Sequence, residues 1–152
     1  MLHPCRRDDL YVVCFLIVSQ KLYCSKYKGI CCHSPLVVWN SRSANTNIRE
    51  YLKKHENKLA VSEISKLEVL GYYKLTADEK TNFEHFFQNI NILLINSEVI
   101  EKAITLRQTY KMSIGDSIIA ATALLHNRKI FTNNEDDFTR IPGLKIISLK
   151  LI

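Results

Sequence analysis

The stretch that decides the fold is KMSIGDSIIAATALLHNRKIFTNNEDDF, residues 111–138. It predicts a helix over 113–127, because Ser113 with Asp116 three residues later has the form of a helix cap and an apolar, alanine-rich run follows. The tetrapeptide KIFT, residues 129–132, predicts a short buried strand. A polar, acidic loop follows that strand directly. The order of these segments places carboxylates both at the start of a helix and just after a strand.

Helix-like and strand-like segments alternate along the chain before and after this stretch. Amphipathic or capped segments predict helices over 45–58, 62–75, 76–88 and 97–110, and apolar segments predict strands at 59–62, 90–95 and 144–149. The predicted helix caps are Ser62, Ser97 and a capping box of Thr76 with Glu79. This alternation predicts an α/β domain with a mostly parallel sheet. Ligands in such domains bind at the carboxyl ends of the strands.

Composition and charge exclude little but set the class of the protein. The chain has 152 residues, which suits one domain. Its net charge of +6 is compatible with a phosphate-bearing partner without demanding one. All five cysteines lie in the first 32 residues with no C-x-x-C spacing, which disfavours a zinc site and a disulfide framework. Reduced thiols predict a cytoplasmic protein.

An apolar run, LYVVCFLIV, occupies residues 10–18. It is too short to span a bilayer, which needs roughly 20 apolar residues. A signal peptide is disfavoured because Asp8 and Asp9 separate the run from Arg6 and Arg7. The run is interpreted as a buried strand or as a non-native extension.

Two carboxylates lie beside apolar segments, where an ionised side chain is unfavourable unless it has a partner. Asp116 can cap its own helix, or it can face a metal site, and the two roles are compatible. Glu68 borders the apolar stripe of the helix over 62–75, where a charge is costly unless it is paired or bound to a cation. Alternatively, Glu68 reaches water at the edge of the stripe or pairs with Lys66 or Lys74.

The acidic loop after KIFT holds a third group of candidate ligands. Asn134, Glu135, Asp136 and Asp137 follow Thr132. Such a loop is usually a solvated turn, but its position after a strand favours a functional role. Carboxylate and amide oxygens suit Mg²⁺ or Mn²⁺, whereas the five histidines are scattered without metal-binding spacing.

Three stretches together resemble the PIN-domain nucleases, especially the VapC-type toxins of toxin–antitoxin pairs. They are LAVSEISKLEVLGYYKL (59–75), the stretch 111–138 and RIPGLKIISL (140–149). The likeness covers roughly residues 44 to 152. It implies a three-layer PIN-like α/β fold, with a mostly parallel central sheet flanked by helices. It also implies a cluster of acids at the strand ends.

The resemblance further implies an activity and the residues that carry it. It predicts Mg²⁺- or Mn²⁺-dependent cleavage of RNA, a cognate antitoxin as partner, and a homodimer. The catalytic acids it implies are Glu68, Asp116 and Asp137, with Asn134 as a further metal ligand and with Thr132 and Ser113 beside them. Candidates to hold the RNA backbone are Arg107, Lys111 and Arg128, although a basic residue of this kind is more often a solvated charge.

The start of the chain departs from the family pattern. PIN nucleases open with a strand that ends in a metal-binding Asp, whereas the nearest form here is LVVWNSRS, residues 36–43, with Asn40 as the stand-in ligand. An Asn in place of the Asp removes a charge and weakens divalent binding. We therefore divide the chain into an atypical N-terminal segment, 1–33, for which a disrupted coding start is one explanation, and a PIN-like domain, 34–152. The alternative function is a catalytically impaired domain that binds RNA or an antitoxin without cutting.

Overall fold

A parallel sheet forms the centre of the molecule. The computed structural model describes residues 11–13 (backbone only), 50, 54–73, 75–132 and 135–148. Its strands are β1 (Tyr11–Val13), β2 (Leu59–Ser62), β3 (Asn91–Leu93), β4 (Lys129–Thr132) and β5 (Ile146–Ser148). They lie in the order β3-β2-β1-β4-β5, and each neighbouring pair is parallel. The predicted α/β class is confirmed.

The helices flank this sheet close to their predicted positions, except that the helix predicted over 62–75 ends at Leu70, before Gly71. They are α1 (Glu63–Leu70), α2 (Ala77–Asn89), α3 (Ser97–Thr109) and α4 (Ile114–Leu125). A 3-10 turn covers Glu56–Lys58, and most of the helix predicted over 45–58 lies outside the described residues. No described helix is long and apolar enough to cross a membrane.

Two of the predicted helix caps were right and two need correction. The Thr76–Glu79 capping box is confirmed by reciprocal bonds of 3.0 and 3.3 Å, and the Ser113 hydroxyl caps α4. The prediction that Ser97 caps α3 is wrong, because the Asn96 side chain accepts a hydrogen bond from the Val99 N–H at 2.9 Å.

Ser62 occupies the N-cap position of α1, but its hydroxyl does not cap that helix. It pairs instead with the Thr122 hydroxyl at 3.1 Å. A hydroxyl can bond a distant partner as well as its own helix, and the sequence does not decide between them. The bond ties the end of β2 to α4.

Helix α4 is the element around which the core is built. Every residue from Asp116 to Ala123 is buried, and the helix lies against β1, β2 and β4. Ala120, Ala121 and Ala123 have no exposed surface, so their small side chains let the helix axis approach the strands closely. The acid in its first turn is therefore held against the sheet.

The strand order predicts a binding crevice beside β1. From β1 the chain order runs to β2 and β3 on one side and to β4 and β5 on the other, which is the arrangement where open α/β sheets bind ligands. Val13 is level with Val61 and Phe131, each one residue before a polar strand end. β1 comes from within the apolar run 10–18. The alternative first strand at 36–39 lies outside the described residues, and the division at residue 34 stays a prediction.

Candidate metal centre

The candidate acids come together at the carboxyl edge of the sheet. Glu68 lies on α1, which starts directly after β2 ends at Ser62. Asp116 lies in the first turn of α4. Asp137 follows the end of β4 at Thr132, and its charge acts on Asp116. Residues distant in sequence thus meet beside β1, where the strand order predicts a binding crevice.

One carboxylate oxygen of Asp116 bonds the capping residue Ser113, and the other has no hydrogen-bond partner among the described residues. The Ser113 hydroxyl donates to Asp116 Oδ2 at 2.6 Å, and the Asp116 N–H donates to the Ser113 hydroxyl at 3.0 Å. Asp116 Oδ1 is buried and has no hydrogen-bond partner among the described residues. Burial raises the pKa of Asp116, the hydrogen bonds from Ser113 lower it, and the Asp137 charge raises it. The cap and the cleft are therefore compatible roles.

Glu68 is the more strongly perturbed of the two acids. Burial, and then the charge of Asp116, raise the pKa of Glu68 from 4.5 to about 7. Its Oε2 atom is buried without a hydrogen-bond partner in the described part of the chain, Lys66 included. Lys74 lies outside the described residues. The carboxylate rests against Gly115 in the first turn of α4, which brings the Glu68 and Asp116 charges together.

The loop after β4 separates its acids into two roles. The Ser148 hydroxyl donates to Glu135 Oε1 at 2.6 Å, so Glu135 ties the loop to β5. Phe138 is fully buried and anchors the end of the loop. Asp136 is exposed, whereas Asp137 is half-buried and acts on Asp116. Of these acids, Asp137 belongs with the site.

The arrangement fits a hard divalent cation with an incomplete protein shell. No group of three or more His, Cys, Asp or Glu in the described ranges is arranged to hold a metal ion by itself. Within the described part of the chain, two buried carboxylate oxygens have no hydrogen-bond partner, one each from Glu68 and Asp116. Mg²⁺ in proteins is typically bound by one or two carboxylates, with water and substrate phosphates completing its shell. The donor set therefore suits such an ion.

Two of the remaining predicted site residues, Thr132 and Ser113, lie at the same edge of the sheet as the acids. Thr132 is buried at the end of β4, and Ser113 caps α4 beside Asp116. Asn134 and Asn40 lie outside the described residues, so their roles as ligands stay predictions. The residue that follows Val13 in the sequence is Cys14, so no acid directly succeeds β1.

The candidate RNA-binding residues lie at opposite edges of the sheet. The Arg107 Nε–H donates to the Met112 carbonyl at 3.4 Å, which places Arg107 beside the start of α4. Lys111 is exposed in the same link. Arg128 directly precedes β4, at the amino edge of the sheet, and burial lowers its pKa. Arg107 and Lys111 are therefore the two that share an edge with the acids.

Two residues of the site were missed by sequence reasoning. Ser65 is fully buried one helical turn before Glu68, and its hydroxyl has no partner among the residues described. Gly115 contacts the Glu68 carboxylate. The signal for Ser65 was its i, i+3 spacing from an acid, whereas the signal for Gly115 was a glycine inside a helical pattern.

The raised pKa of Glu68 predicts a pH-dependent stability of the metal-free protein. The folded chain holds a proton up to about pH 7 that the unfolded chain releases near 4.5. The free energy of unfolding should therefore fall as the pH rises through this window. Melting temperatures in EDTA should show Glu68→Gln gaining on the wild type as the pH rises from about 5 to about 8.

Asp116 titrates in both proteins of that comparison, so its contribution largely cancels. Parallel melting profiles for the wild type and Glu68→Gln across this range would show that Glu68 is not buried as described.

The chain is similar to known PIN-domain proteins in sequence and in structure. The family model for the PIN domain matches residues 35–144. A solved toxin–antitoxin complex from Klebsiella pneumoniae has a chain with 30% identity and a TM-score of 0.59, covering 70% of this chain and 86% of that one. No curated protein sequence matches the chain.

Two further structures support the fold alone, because their sequence identities are low. VapBC2 from Rickettsia felis, bound to a DNA fragment from its promoter, has 17% identity and a TM-score of 0.67, covering 91% of this chain and 98% of that chain. DNA-bound VapBC from Salmonella typhimurium has 18% identity and a TM-score of 0.65, covering 91% and 97%. The resemblance stated from the sequence is thereby confirmed, and the chain belongs to the PIN domain family.

Proposed function

We propose that this chain is a VapC-type toxin of a toxin–antitoxin pair, a cytoplasmic endonuclease that hydrolyses RNA phosphodiester bonds with Mg²⁺ or Mn²⁺. Membership of the PIN domain family supports a nuclease. The single observation that carries the proposal is a pair of buried oxygens, Glu68 Oε2 and Asp116 Oδ1, that have no hydrogen-bond partner among the described residues. Two such carboxylates beside each other are unfavourable when both are ionised, unless a cation offsets their charge.

Glu68 and Asp116 would hold the cation, with Asp137 and Asn134 as further oxygen ligands. A bound divalent ion supplies charge neutralisation at the scissile phosphate and a more acidic attacking water. Ser113 holds Asp116 in one orientation by the 2.6 Å hydrogen bond to Oδ2, which leaves Oδ1 directed away from the cap. Fixing the ligand geometry in this way favours reaction without reorganisation.

The RNA backbone would be held by basic side chains beside this cleft. Arg107 and Lys111 support this role because both lie near the start of α4 and both are exposed. Arg128 is a weaker candidate, since it lies at the opposite edge of the sheet. Phosphate contacts of this kind position a nucleic acid without reading its sequence.

RNA cleavage by the purified full chain tests the proposal. We expect a labelled RNA to be cut in the presence of Mn²⁺ or Mg²⁺ and to remain intact in EDTA. Absence of metal-dependent cutting by protein shown to be folded would overturn the enzyme proposal.

The alternative is a PIN domain that binds RNA or an antitoxin without cutting. It is favoured by the sequence after the central strand, where Cys14 follows Val13, and by Asn40 after the other apolar candidate. Loss of one acid from the cluster lowers the charge available to hold a cation. RNA retention that is insensitive to EDTA, without cleavage, would identify this function.

An antitoxin partner is supported by apolar side chains exposed on the two helices that carry the acids. Leu67 is 68% exposed on the helix of Glu68, and Ile114 is 61% exposed in the first turn of the helix of Asp116. Large exposed apolar side chains on helices that also carry acids suit a segment with both apolar and basic residues. We propose that the antitoxin covers the acidic cleft through such a segment.

Genetic rescue tests the antitoxin surface. Cells expressing this chain should stop growing, and a library of genomic fragments from the source organism should yield a fragment that restores growth. Leu67→Asp should abolish that rescue while toxicity persists, because a charge on the apolar contact weakens binding. Rescue of Leu67→Asp as efficient as that of the wild type would place the antitoxin elsewhere.

A homodimer is also proposed, as the family resemblance implies. Ile100 and Ile104 support it, since they lie four residues apart on α3 and are 39% and 44% exposed. An apolar strip on one helix face suits a contact with a second copy.

A further inference from the structure

Gly115 stands where a side chain would collide with the Glu68 carboxylate. A Cβ placed on Gly115 would overlap Glu68 Oε1 and lie 3.2 Å from Glu68 Cδ. Apart from the chain neighbours of Gly115 and the backbone of its own helix, the three described atoms nearest to that position all belong to Glu68. The tertiary contact that occupies the space beside this glycine is therefore one carboxylate.

The backbone does not explain the glycine. Gly115 lies in the first turn of α4, and the described glycine with a positive φ is Gly143, not Gly115. A glycine inside a helix is disfavoured relative to alanine by about 1 kcal/mol at most positions. The helix would form at least as well with a side chain here, so the glycine serves the contact with Glu68.

The contact decides where the Glu68 charge sits. Glu68 comes from α1 and Asp116 from α4, and the two helices pack together. Glu68 reaches the Asp116 side of the cleft by lying across the bare Cα of Gly115. The end of a glutamate is flexible, so a methyl group at 115 would displace the carboxylate without displacing the helices.

We propose that Gly115 is a positioning residue of the metal centre: its missing side chain admits the Glu68 carboxylate to the cleft beside Asp116. This inference rests on the proposed metal-dependent function. A side chain at this position separates the two acids and disables metal binding while the fold is kept or stabilised. Function and stability therefore oppose each other at residue 115.

Gly115→Ala tests the proposal with two readouts besides RNA cleavage. Calorimetric titration with Mn²⁺ should give a dissociation constant at least about tenfold higher than that of the wild type. The melting temperature in EDTA should be unchanged or raised by about 2–4 °C. Ser117→Ala is the matched control, because the Ser117 hydroxyl donates to the Ile114 carbonyl within the same helix, and it should bind Mn²⁺ as the wild type does.

Chemical labelling in EDTA separates this inference from the proposed function. A water-soluble carbodiimide with glycine ethyl ester should label Glu68 faster in Gly115→Ala than in the wild type, as measured by mass spectrometry of the peptide. Unchanged labelling, or unchanged Mn²⁺ affinity in Gly115→Ala, would overturn the inference. A wild type that does not bind Mn²⁺ would refute the metal-dependent function, and the labelling comparison would still decide whether Gly115 positions Glu68.

Discussion

Replacing Asp116 with Asn is expected to lower the rate of RNA cleavage by at least about 100-fold, since metal-ion catalysis supplies several kcal/mol. Asn keeps the size of the side chain and one carbonyl oxygen that can accept the Ser113 hydroxyl. It removes the negative charge that Oδ1 presents in the cleft. Because a buried charge is lost, the melting temperature of Asp116→Asn in EDTA should be equal to or higher than that of the wild type.

Initial cleavage rates of a labelled RNA at saturating Mn²⁺ measure this effect. Ser117→Ala is again the control, because Ser117 is the next residue of α4 and is equally buried, but its hydroxyl bonds its own helix. A rate for Asp116→Asn within a few-fold of the wild type would remove Asp116 from the catalytic machinery. Its role in the fold would then be to hold the capping residue Ser113 by a hydrogen bond.

Replacing Glu68 with Ala is expected to abolish the stabilisation of the protein by Mn²⁺. At a metal concentration about 100 times its dissociation constant, binding stabilises the folded state by about 2.7 kcal/mol. For a chain of this size that corresponds to a rise in melting temperature of about 5–10 °C. In Glu68→Ala the rise should vanish, because Glu68 Oε2, one of the two buried carboxylate oxygens without a partner in the described ranges, is gone.

Glu63→Gln is the matched control for this measurement. Glu63 lies on the same helix, but its Oε2 atom already accepts the Ile95 N–H at 2.9 Å. Gln can accept the same hydrogen bond, so its Mn²⁺-induced shift should equal that of the wild type. Loss of the shift in both variants, or in neither, would contradict the assignment of Glu68 to the metal centre.

Metal binding without cleavage would have a specific meaning. The central strand β1 is followed in sequence by Cys14, and the other apolar candidate is followed by Asn40. If Mn²⁺ raises the melting temperature but RNA stays intact, Glu68 and Asp116 bind a cation that does not activate the attacking water enough for hydrolysis. The binding-only function would then be preferred.

Local signals in the sequence were sufficient for most of the helices and strands. The run after Ser113 is apolar on nearly every face, and KIFT is bounded by polar residues, so α4 and β4 followed from short-range patterns. The Thr76–Glu79 capping box was also readable, since both of its bonds lie within one turn.

Long-range choices could not be read from such patterns. Periodicity does not decide which of two apolar runs, 10–18 or 36–39, pairs with β2 and β4, because parallel pairing joins distant segments. In the same way the Ser62 hydroxyl selects Thr122, sixty residues away, instead of its own helix. At the start of α3, Asn96 and Ser97 are adjacent and both suit a helix cap. The sequence therefore could not decide which of the two residues is the N-cap.

The residues of the candidate site could likewise be predicted from the sequence, whereas their contacts could not. Family resemblance named Glu68, Asp116 and Asp137, and the packing of α1 on α4 adds what surrounds them. The burial of Glu68 and its contact with Gly115 depend on two helices meeting. The bond from Ser148 to Glu135 likewise needs β5 beside the loop, so a list of acids could not separate Glu135 from Asp137.

The central claim is that Glu68 and Asp116 hold a divalent cation at the carboxyl edge of the sheet. Crystals of the full chain soaked in Mn²⁺ and measured at the manganese absorption edge test it most directly. We expect an anomalous peak at about 2.1 Å from both Glu68 Oε2 and Asp116 Oδ1. A well-ordered cleft without that peak, or a peak bound by other residues, would contradict it.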